Sequence, residues 1–248
     1  KAEFIHRVRT CAAQSDLILT VSEASKRDIV EILQVDPAKV AVTYQPAELE
    51  LLDADAQAVL PRTLARFGLE PERYALFVGA IEPKKNLRRL IAAFLDADTD
   101  LPLVITGRKA WMWEQEIGDL ETAFGESARK RIILPGYVSA SDLSALYAGS
   151  RLFLFPSLLE GFGLPALEAL KFGRPVIASR TGSLPEVCGE AAIYVDPFDS
   201  VDIRRAIERV LGDEALRRQL TAAGPSRAAK FSVEAYVQRL CKVYSSLY

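Results

Sequence analysis

The stretch Pro156-Ser-Leu-Leu-Glu160-Gly-Phe-Gly163-Leu-Pro165-Ala-Leu-Glu168-Ala-Leu decides the fold class of this chain. It follows an apolar run, 152–155, that is typical of a strand buried in a parallel sheet. Pro165 suits the first helical position, and we expect the helix to stop before Gly173. The sequence therefore predicts a strand, a glycine loop and a helix in direct succession.

The glycine loop predicts a ligand site. Gly161 and Gly163 carry no side chain that would keep a ligand from the backbone N–H groups. Glu160 in the loop and Glu168 one turn inside the helix can accept hydrogen bonds from sugar or ribose hydroxyls. The pattern favours a phosphorylated sugar or a nucleotide. The alternative is that the acids only stabilise the helix dipole and that Gly-Phe-Gly is a tight turn.

Short apolar runs alternate with helical patterns from Tyr74 onward. This alternation predicts an α/β fold with a doubly wound parallel sheet, which binds ligands beyond the carboxyl ends of its strands. The predicted strands are 74–78, 102–106, 131–134, 152–155, 175–178 and 192–195. The predicted helices are 86–97, 111–124, 141–147, 165–172 and 201–211.

Glycine follows three of these strands, and polar or charged positions come after each of them. Four successive strand ends of this kind, counting the one at Pro156, favour an open ligand site at this edge of the sheet. The alternative is the ordinary preference of loops for glycine. Lys85 precedes a helix start, where its ammonium can meet a diphosphate. A solvated lysine pair, Lys84 and Lys85, is the alternative. The three glycines are Gly79, Gly107 and Gly136.

Composition excludes several classes of function. The net charge is −2 and the pI about 5.7, so the chain shows no electrostatic footprint for nucleic acid. No apolar run reaches the length of a membrane span, and no signal peptide is predicted at Lys1. Cys11, Cys188 and Cys241 are widely spaced, which predicts reduced thiols of a cytoplasmic protein. With a single histidine, His6, and no acidic cluster at ligand spacing, we expect no metal and no cofactor.

Four motifs follow one another in the second half of the chain: Gly79-x5-Lys85-Asn86-Leu87, Gly136-Tyr-Val138, Pro156-Ser-x2-Glu160-Gly-Phe-Gly163-x4-Glu168-Ala169 and Gly182-Ser-Leu-Pro185-Glu186-Val187. Their order and spacing resemble the C-terminal domain of retaining glycosyltransferase family 4, which has the GT-B fold. The resemblance implies a Rossmann-like domain that binds a nucleoside diphosphate sugar.

The resemblance also implies residue roles. Glu160 would bind hydroxyls of the donor sugar, Lys85 would neutralise the leaving diphosphate, and Glu168 would hold the ribose. We expect these three side chains to surround one cavity. Many members carry Arg where this chain has Ala80, so one phosphate contact is either missing or supplied by Arg108 or Lys109. The donor-binding residues implied besides Glu168 are Gly79, Ala80, Arg108, Lys109, Tyr137, Val138, Gly161, Phe162, Gly163 and Leu164.

The resemblance divides the chain into four parts. Residues 1–45, with predicted strands 16–22 and 39–44 around a helix 25–33, resemble the last elements of an N-terminal acceptor-side domain. Residues 46–72 would be a linker and 73–231 the nucleotide-sugar-binding domain. Residues 232–248 would form a helix that returns to the N-terminal domain, with packing on its own domain as the alternative.

The predicted function is transfer of a hexose to a saccharide or lipid-linked acceptor with retention, in the cytoplasm or at the inner membrane face. Ile81–Asn86 resembles the "EPRKN" stretch of related bacterial sequences, which favours GDP-mannose or a related deoxyhexose donor in surface polysaccharide assembly. We expect this chain alone to be inactive and residues 1–45 to need the rest of the N-terminal domain or another copy of the chain. The alternatives are a non-catalytic nucleotide-sugar-binding module, or an epimerase or hydrolase on the same fold.

Overall fold

The computed structural model describes residues 2–246. Eight short strands lie in two parallel sheets, and all but two of these strands belong to the larger sheet. The strands are β1 (Ile18–Thr20), β2 (Val40–Val42), β3 (Ala75–Val78), β4 (Leu103–Thr106), β5 (Ile132–Gly136), β6 (Leu152–Phe155), β7 (Val176–Ser179) and β8 (Ala192–Val195).

Helices connect the strands throughout the described part of the chain. They are α1 (Ala2–Gln14), α2 (Glu23–Leu33), α3 (Ala54–Ala58), α4 (Leu60–Ala65), α5 (Leu87–Asp96), α6 (Trp113–Glu116), α7 (Leu120–Phe124), α8 (Glu126–Arg131), α9 (Ala140–Gly149), α10 (Leu164–Lys171), α11 (Leu184–Cys188), α12 (Ser200–Gly212), α13 (Glu214–Ala228) and α14 (Val233–Ser245). Short 3₁₀ turns occur at Pro37–Lys39, Pro83–Lys85, Gly189–Ala191 and Ala229–Phe231.

The larger sheet has six parallel strands in the order β5-β4-β3-β6-β7-β8. The order reverses between β3 and β6, which pair with Leu76 opposite Phe153. In doubly wound sheets the crevice at such a reversal is the usual ligand site, because the loops after the two strands diverge there. The predicted doubly wound α/β class is confirmed, and the glycine loop after β6 lies at this switch point.

The core lies on both faces of this sheet. Every residue of β4, β6 and β7 is buried, as continuous apolar runs predict for strands covered by helices on both sides. Phe155 packs between Phe77 and Phe153, with ring centroids 5.8 and 5.7 Å away. Burial of such side chains contributes about 2–3 kcal/mol each, so the strand ends carrying the loops are firmly placed.

Residues before the larger sheet form a smaller unit. Strands β1 and β2 pair with each other in parallel, and Ser22 caps α2 between them. The range 46–72, predicted as a linker, contains α3 and α4 and buries Leu60, Leu64 and Leu69 in the main core. The domain boundaries stay a prediction, but much of this range is packed rather than extended over the surface.

The last helix, α14, contacts the N-terminal segment. The Arg239 guanidinium lies 4.9 Å from the centre of the Tyr44 ring, and Tyr236 lines a cavity together with Gln45. The predicted helix 232–248 extends to residues 247 and 248, which lie outside the described residues.

One predicted helix is wrong. The range 111–124 forms two short helices, α6 and α7, because Gly118 adopts a positive φ of 26° and the Asp119 side chain caps a new helix by accepting from Glu121 N. The sequence analysis also left α8 and α11 unassigned.

Candidate functional site

Lys85 and Glu160 form a buried ion pair at the switch point. Lys85 closes the 3₁₀ turn after β3, and Glu160 lies in the loop after β6. The Lys85 Nζ donates to Glu160 Oε1 at 2.6 Å, and the two side chains are only 9% and 8% exposed. The ammonium also lies 4.9 Å from the centre of the Phe155 ring. The structure therefore brings both predicted catalytic residues into direct contact, in a charge-assisted hydrogen bond.

Asn86 fastens the loops around this pair. It is buried, and its backbone adopts the left-handed region with φ 61°, which Asn occupies more readily than most residues. Its Nδ2 donates to Pro156 O at 2.9 Å and to Pro197 O at 2.8 Å. The loops after β3, β6 and β8 are thus tied to one side chain. The sequence includes Asn86 in a motif but gives it no role, because its partners lie far along the chain.

A cavity of about 230 Å³ lies at the carboxyl ends of β3, β4 and β5. A Cβ at Gly107, one of its lining residues, would lie 1.9 Å from Gly79 O, so only glycine fits there. Five of the predicted donor-binding residues share the lining of this cavity. They are Gly79, Ala80, Arg108, Tyr137 and Val138.

Lys109 is directed elsewhere. Its Nζ lies 3.6 Å from the centre of the Trp113 ring, in a cation–π contact. Lys109 is absent from the lining of the cavity, whereas its neighbour Arg108 is part of it. Of the two basic residues predicted to replace the arginine missing at Ala80, the geometry therefore favours Arg108.

The glycine loop is held by the N-terminal segment. Gly161 O accepts from Ser22 Oγ at 2.6 Å and from Ser25 Oγ at 3.0 Å. The Phe162 ring is buried, with its centroid 6.3 Å from that of Tyr44. Gly163 ends the loop with φ 95°, and a Cβ there would lie 2.6 Å from Leu184 Cδ2.

Glu186 strengthens the same junction. Its two carboxylate oxygens accept from Glu23 N at 2.7 Å and Ala24 N at 3.2 Å, the first free amides of α2. Burial, and next a hydrogen bond to Glu186, raise the pKa of Tyr44 to about 12. The sequence places Glu186 in a motif, yet no local signal reports its contact with residues more than 160 positions earlier.

Glu168 lines a second cavity, of about 410 Å³, together with Leu164 and residues of α14. Its Oε2 accepts from the Tyr147 hydroxyl at 2.9 Å. Burial raises the pKa of Glu168, while that hydrogen bond and the Lys171 charge oppose the rise. Burial and the Glu168 charge likewise raise the pKa of Tyr147. Lys85 and Glu160, which pair with each other, line neither cavity. The expectation that Lys85, Glu160 and Glu168 surround one cavity is therefore not met by either of these two cavities.

Residues 2–246 contain no group of three His, Cys, Asp or Glu side chains arranged to hold a metal ion. None of the helices in this part of the chain is both long and apolar enough to cross a bilayer. The three cysteines form no disulfide, and only Cys188 is buried. Independence from metals and cofactors stays a prediction.

Residues 64–227 match the family model described as "Glycosyl transferases group 1". The O-antigen chain mannosyltransferase B of Escherichia coli is 34% identical over 239 residues, which are 93% of this chain and 61% of that protein. The serotype-specific mannosyltransferase WbdA of Escherichia coli is 34% identical over 223 residues, 88% of this chain and 27% of that protein. The chain thus spans at most about three fifths of either relative.

Solved structures share the fold. Sucrose-phosphate synthase from Thermosynechococcus elongatus superposes with a TM-score of 0.82 at 23% identity, over 100% of this chain and 62% of that one. Anabaena HepE, in complex with UDP and glucose, gives a TM-score of 0.86 at 17% identity, over 98% and 66%. These likenesses show the GT-B type of α/β fold.

Proposed function

Because this chain belongs to the group 1 glycosyl transferases, we propose that the whole protein transfers a hexose from a nucleoside diphosphate sugar to an acceptor with retention of anomeric configuration. This chain would be the donor-binding part, and the acceptor, a saccharide or a lipid-linked saccharide, would bind mainly outside it. The comparisons favour transfer over a binding module, an epimerase or a hydrolase.

The proposed donor is GDP-mannose. Mannose is supported by the two relatives named mannosyltransferases, each 34% identical to this chain. The O-antigen in the name of one of them supports a role in surface polysaccharide assembly. Guanine is supported by the likeness of Ile81–Asn86 to the sequence "EPRKN" of related bacterial transferases, and its choice over uracil is part of the test.

The observation that carries the proposal is the buried Lys85–Glu160 pair at the switch point of the sheet. Departure of a nucleoside diphosphate develops negative charge, which a fixed ammonium in a dry site stabilises strongly. Glu160 would turn from Lys85 to the hydroxyls of the sugar and orient it for transfer. We propose that these groups, with the glycine-loop amides, act without a metal.

The remaining residues would hold the nucleotide. The 230 Å³ cavity would take the base between Tyr137 and Val138, and Arg108 would reach the phosphates from the same wall. We propose that Glu168, oriented by the Tyr147 hydroxyl, holds the ribose. That role requires the ribose to reach the neighbouring cavity, so it is tested separately.

Calorimetric titration in the presence of a chelator tests donor binding. GDP-mannose, GDP, UDP-glucose and UDP are compared, and we expect GDP-mannose to bind best. Lys85→Ala should abolish binding of all four, whereas Lys84→Ala, a change at a half-exposed neighbour, should leave it intact. Glu160→Ala should erase the preference for sugar nucleotide over bare diphosphate, and Glu168→Ala should weaken every nucleotide. Equal effects of the two glutamate variants would contradict the division of roles.

Transfer itself is tested with the whole protein and mannose-labelled donor. We expect a labelled saccharide product. Nuclear magnetic resonance should show that the new glycosidic bond keeps the anomeric configuration of the donor, and a chelator should leave the rate of transfer unchanged. Free mannose without acceptor product, or conversion of one sugar nucleotide into another, would instead support the hydrolase or epimerase.

A further inference from the structure

The Gly161 carbonyl receives two hydroxyl groups from one turn of the N-terminal segment. Ser22 Oγ and Ser25 Oγ both donate to it, at 2.6 and 3.0 Å. Ser22 is fully buried, and its oxygen also accepts from Ser25 N at 2.9 Å, so its hydroxyl proton is directed at Gly161 O. A carbonyl with two acceptor positions filled by hydroxyls is fixed in orientation.

Fixing this carbonyl also fixes a neighbouring donor. The peptide bond between Gly161 and Phe162 is trans, since the described residues contain no cis peptide. In a trans peptide the C=O and the following N–H point in opposite directions. The Phe162 N–H therefore points away from α2, and no acceptor among residues 2–246 takes it. The Phe162 N–H is thus an unpaired donor in the glycine loop, whereas most backbone donors inside folded proteins are paired.

The turn that supplies the two serines is itself anchored to the donor-binding domain. Glu186 accepts from the first amides of α2, and Tyr44 packs against Phe162. The contact is therefore part of a packed junction, in which the N-terminal segment determines the position of one peptide in the glycine loop.

We infer that Ser22 and Ser25 are positioning residues, which aim the Phe162 N–H at a phosphate or sugar oxygen of the donor. This assignment rests on the proposed function, because it takes the group that accepts from Phe162 to belong to a nucleoside diphosphate sugar. The N-terminal segment lies outside the domain proposed to hold the donor, yet under this assignment its serines contribute to the affinity for the donor.

Titration of the whole protein with GDP-mannose, GDP and guanosine tests the assignment, with UDP-glucose, UDP and uridine in parallel. Loss of one hydroxyl from the Gly161 carbonyl should weaken binding of the sugar nucleotide by roughly 3- to 10-fold, the effect of one hydrogen bond. Binding of the bare nucleoside should stay unchanged. Ser25→Ala is the main variant, since Ser25 is partly exposed and alanine suits a helix at least as well. Ser22→Ala should act in the same direction, and Ser25→Thr, which keeps a hydroxyl, should restore binding.

Two further measurements separate positioning from general destabilisation. Ser127→Ala, at an exposed serine near the start of α8, is the matched control and should bind as the wild type does. In protein labelled with ¹⁵N-phenylalanine, the Phe162 amide signal should shift when GDP-mannose binds, and shift less in Ser25→Ala.

The outcomes discriminate between the two proposals. If the wild-type protein binds none of the sugar nucleotides, the proposed function fails, and this assignment fails with it. If the wild type binds but Ser25→Ala and Ser22→Ala bind equally well, only the positioning role is overturned. The same holds if both variants lose nucleoside and sugar nucleotide to an equal extent, or if the Phe162 signal does not respond to GDP-mannose in the wild type.

Discussion

The Lys85–Glu160 pair makes a quantitative prediction about stability. Each side chain is less than a tenth exposed and the bonding atoms are 2.6 Å apart, so water cannot replace either partner. Lys85→Met keeps most of the packing against Phe155 but leaves the Glu160 carboxylate buried and unpaired. Removing one partner of such a pair costs about 3–5 kcal/mol. For a chain of this length, that lowers the melting temperature by roughly 10 °C.

Urea unfolding at pH 7, without ligand and followed by circular dichroism, measures this cost. Glu160→Leu should lose a similar amount, because it leaves a buried ammonium. The double variant Lys85→Met/Glu160→Leu should be more stable than either single variant, since two apolar side chains of similar volume replace the pair. The matched control is Lys130→Met, whose ion pair with Glu126 is 73% exposed on both sides and should contribute less than about 1 kcal/mol.

Additive losses would refute this reasoning. If the double variant is destabilised by the sum of the two single losses, the two charges do not compensate each other. The short distance would then reflect only proximity. A loss in Lys85→Met no larger than that in Lys130→Met would have the same meaning.

Two further predictions concern Glu168 and Gly163. Since burial raises the pKa of Glu168 above its ordinary 4.5, its contribution to the free energy of unfolding is present below pH 4.5 and lost as the pH rises through the raised value. Glu168→Gln keeps an acceptor for Tyr147 and does not titrate. In urea unfolding between pH 4.5 and 8, the free energy of unfolding of the variant should therefore rise relative to that of the wild type as the pH rises. A difference between the two that does not change with pH would contradict the burial argument. Gly163→Ala should cost about 2 kcal/mol or more, because φ is 95° and Leu184 occupies the space of the Cβ. Gly212→Ala, at an open helical position, should cost nothing in the same assay, and equal stability of the two variants would be the opposing result.

The sheet could be predicted because its central strands are continuous apolar runs. The predicted strands 102–106 and 152–155 coincide with β4 and β6 to within one residue, and both are buried along their length. Helix ends were harder to predict. Apolar residues recur at helical spacing through 111–124, so the sequence gives no strong sign that Gly118 turns to positive φ and interrupts the helix.

The site could be predicted in its residues but not in its contacts. Lys85 and Glu160 are recognisable from local motifs, whereas their pairing across 75 positions depends on which strands become neighbours. The contact of Ser22 with Gly161 spans 139 positions and depends on how the N-terminal segment packs. Local periodicity carries no information about such a distance, so no reading of the sequence could have assigned the serine a partner.

The close approach of Gly107 to the Gly79 carbonyl limits how the preference for a ligand can be altered. Any side chain at Gly107 would push the two loops apart, so this part of the lining of the 230 Å³ cavity requires glycine. Among the residues of its walls, Ala80 is half-buried and Tyr137 is 84% exposed, so neither is in such a close backbone contact. Libraries intended to change the accepted nucleotide should therefore randomise those two positions and leave both glycines, and Arg108 as the proposed phosphate contact, untouched.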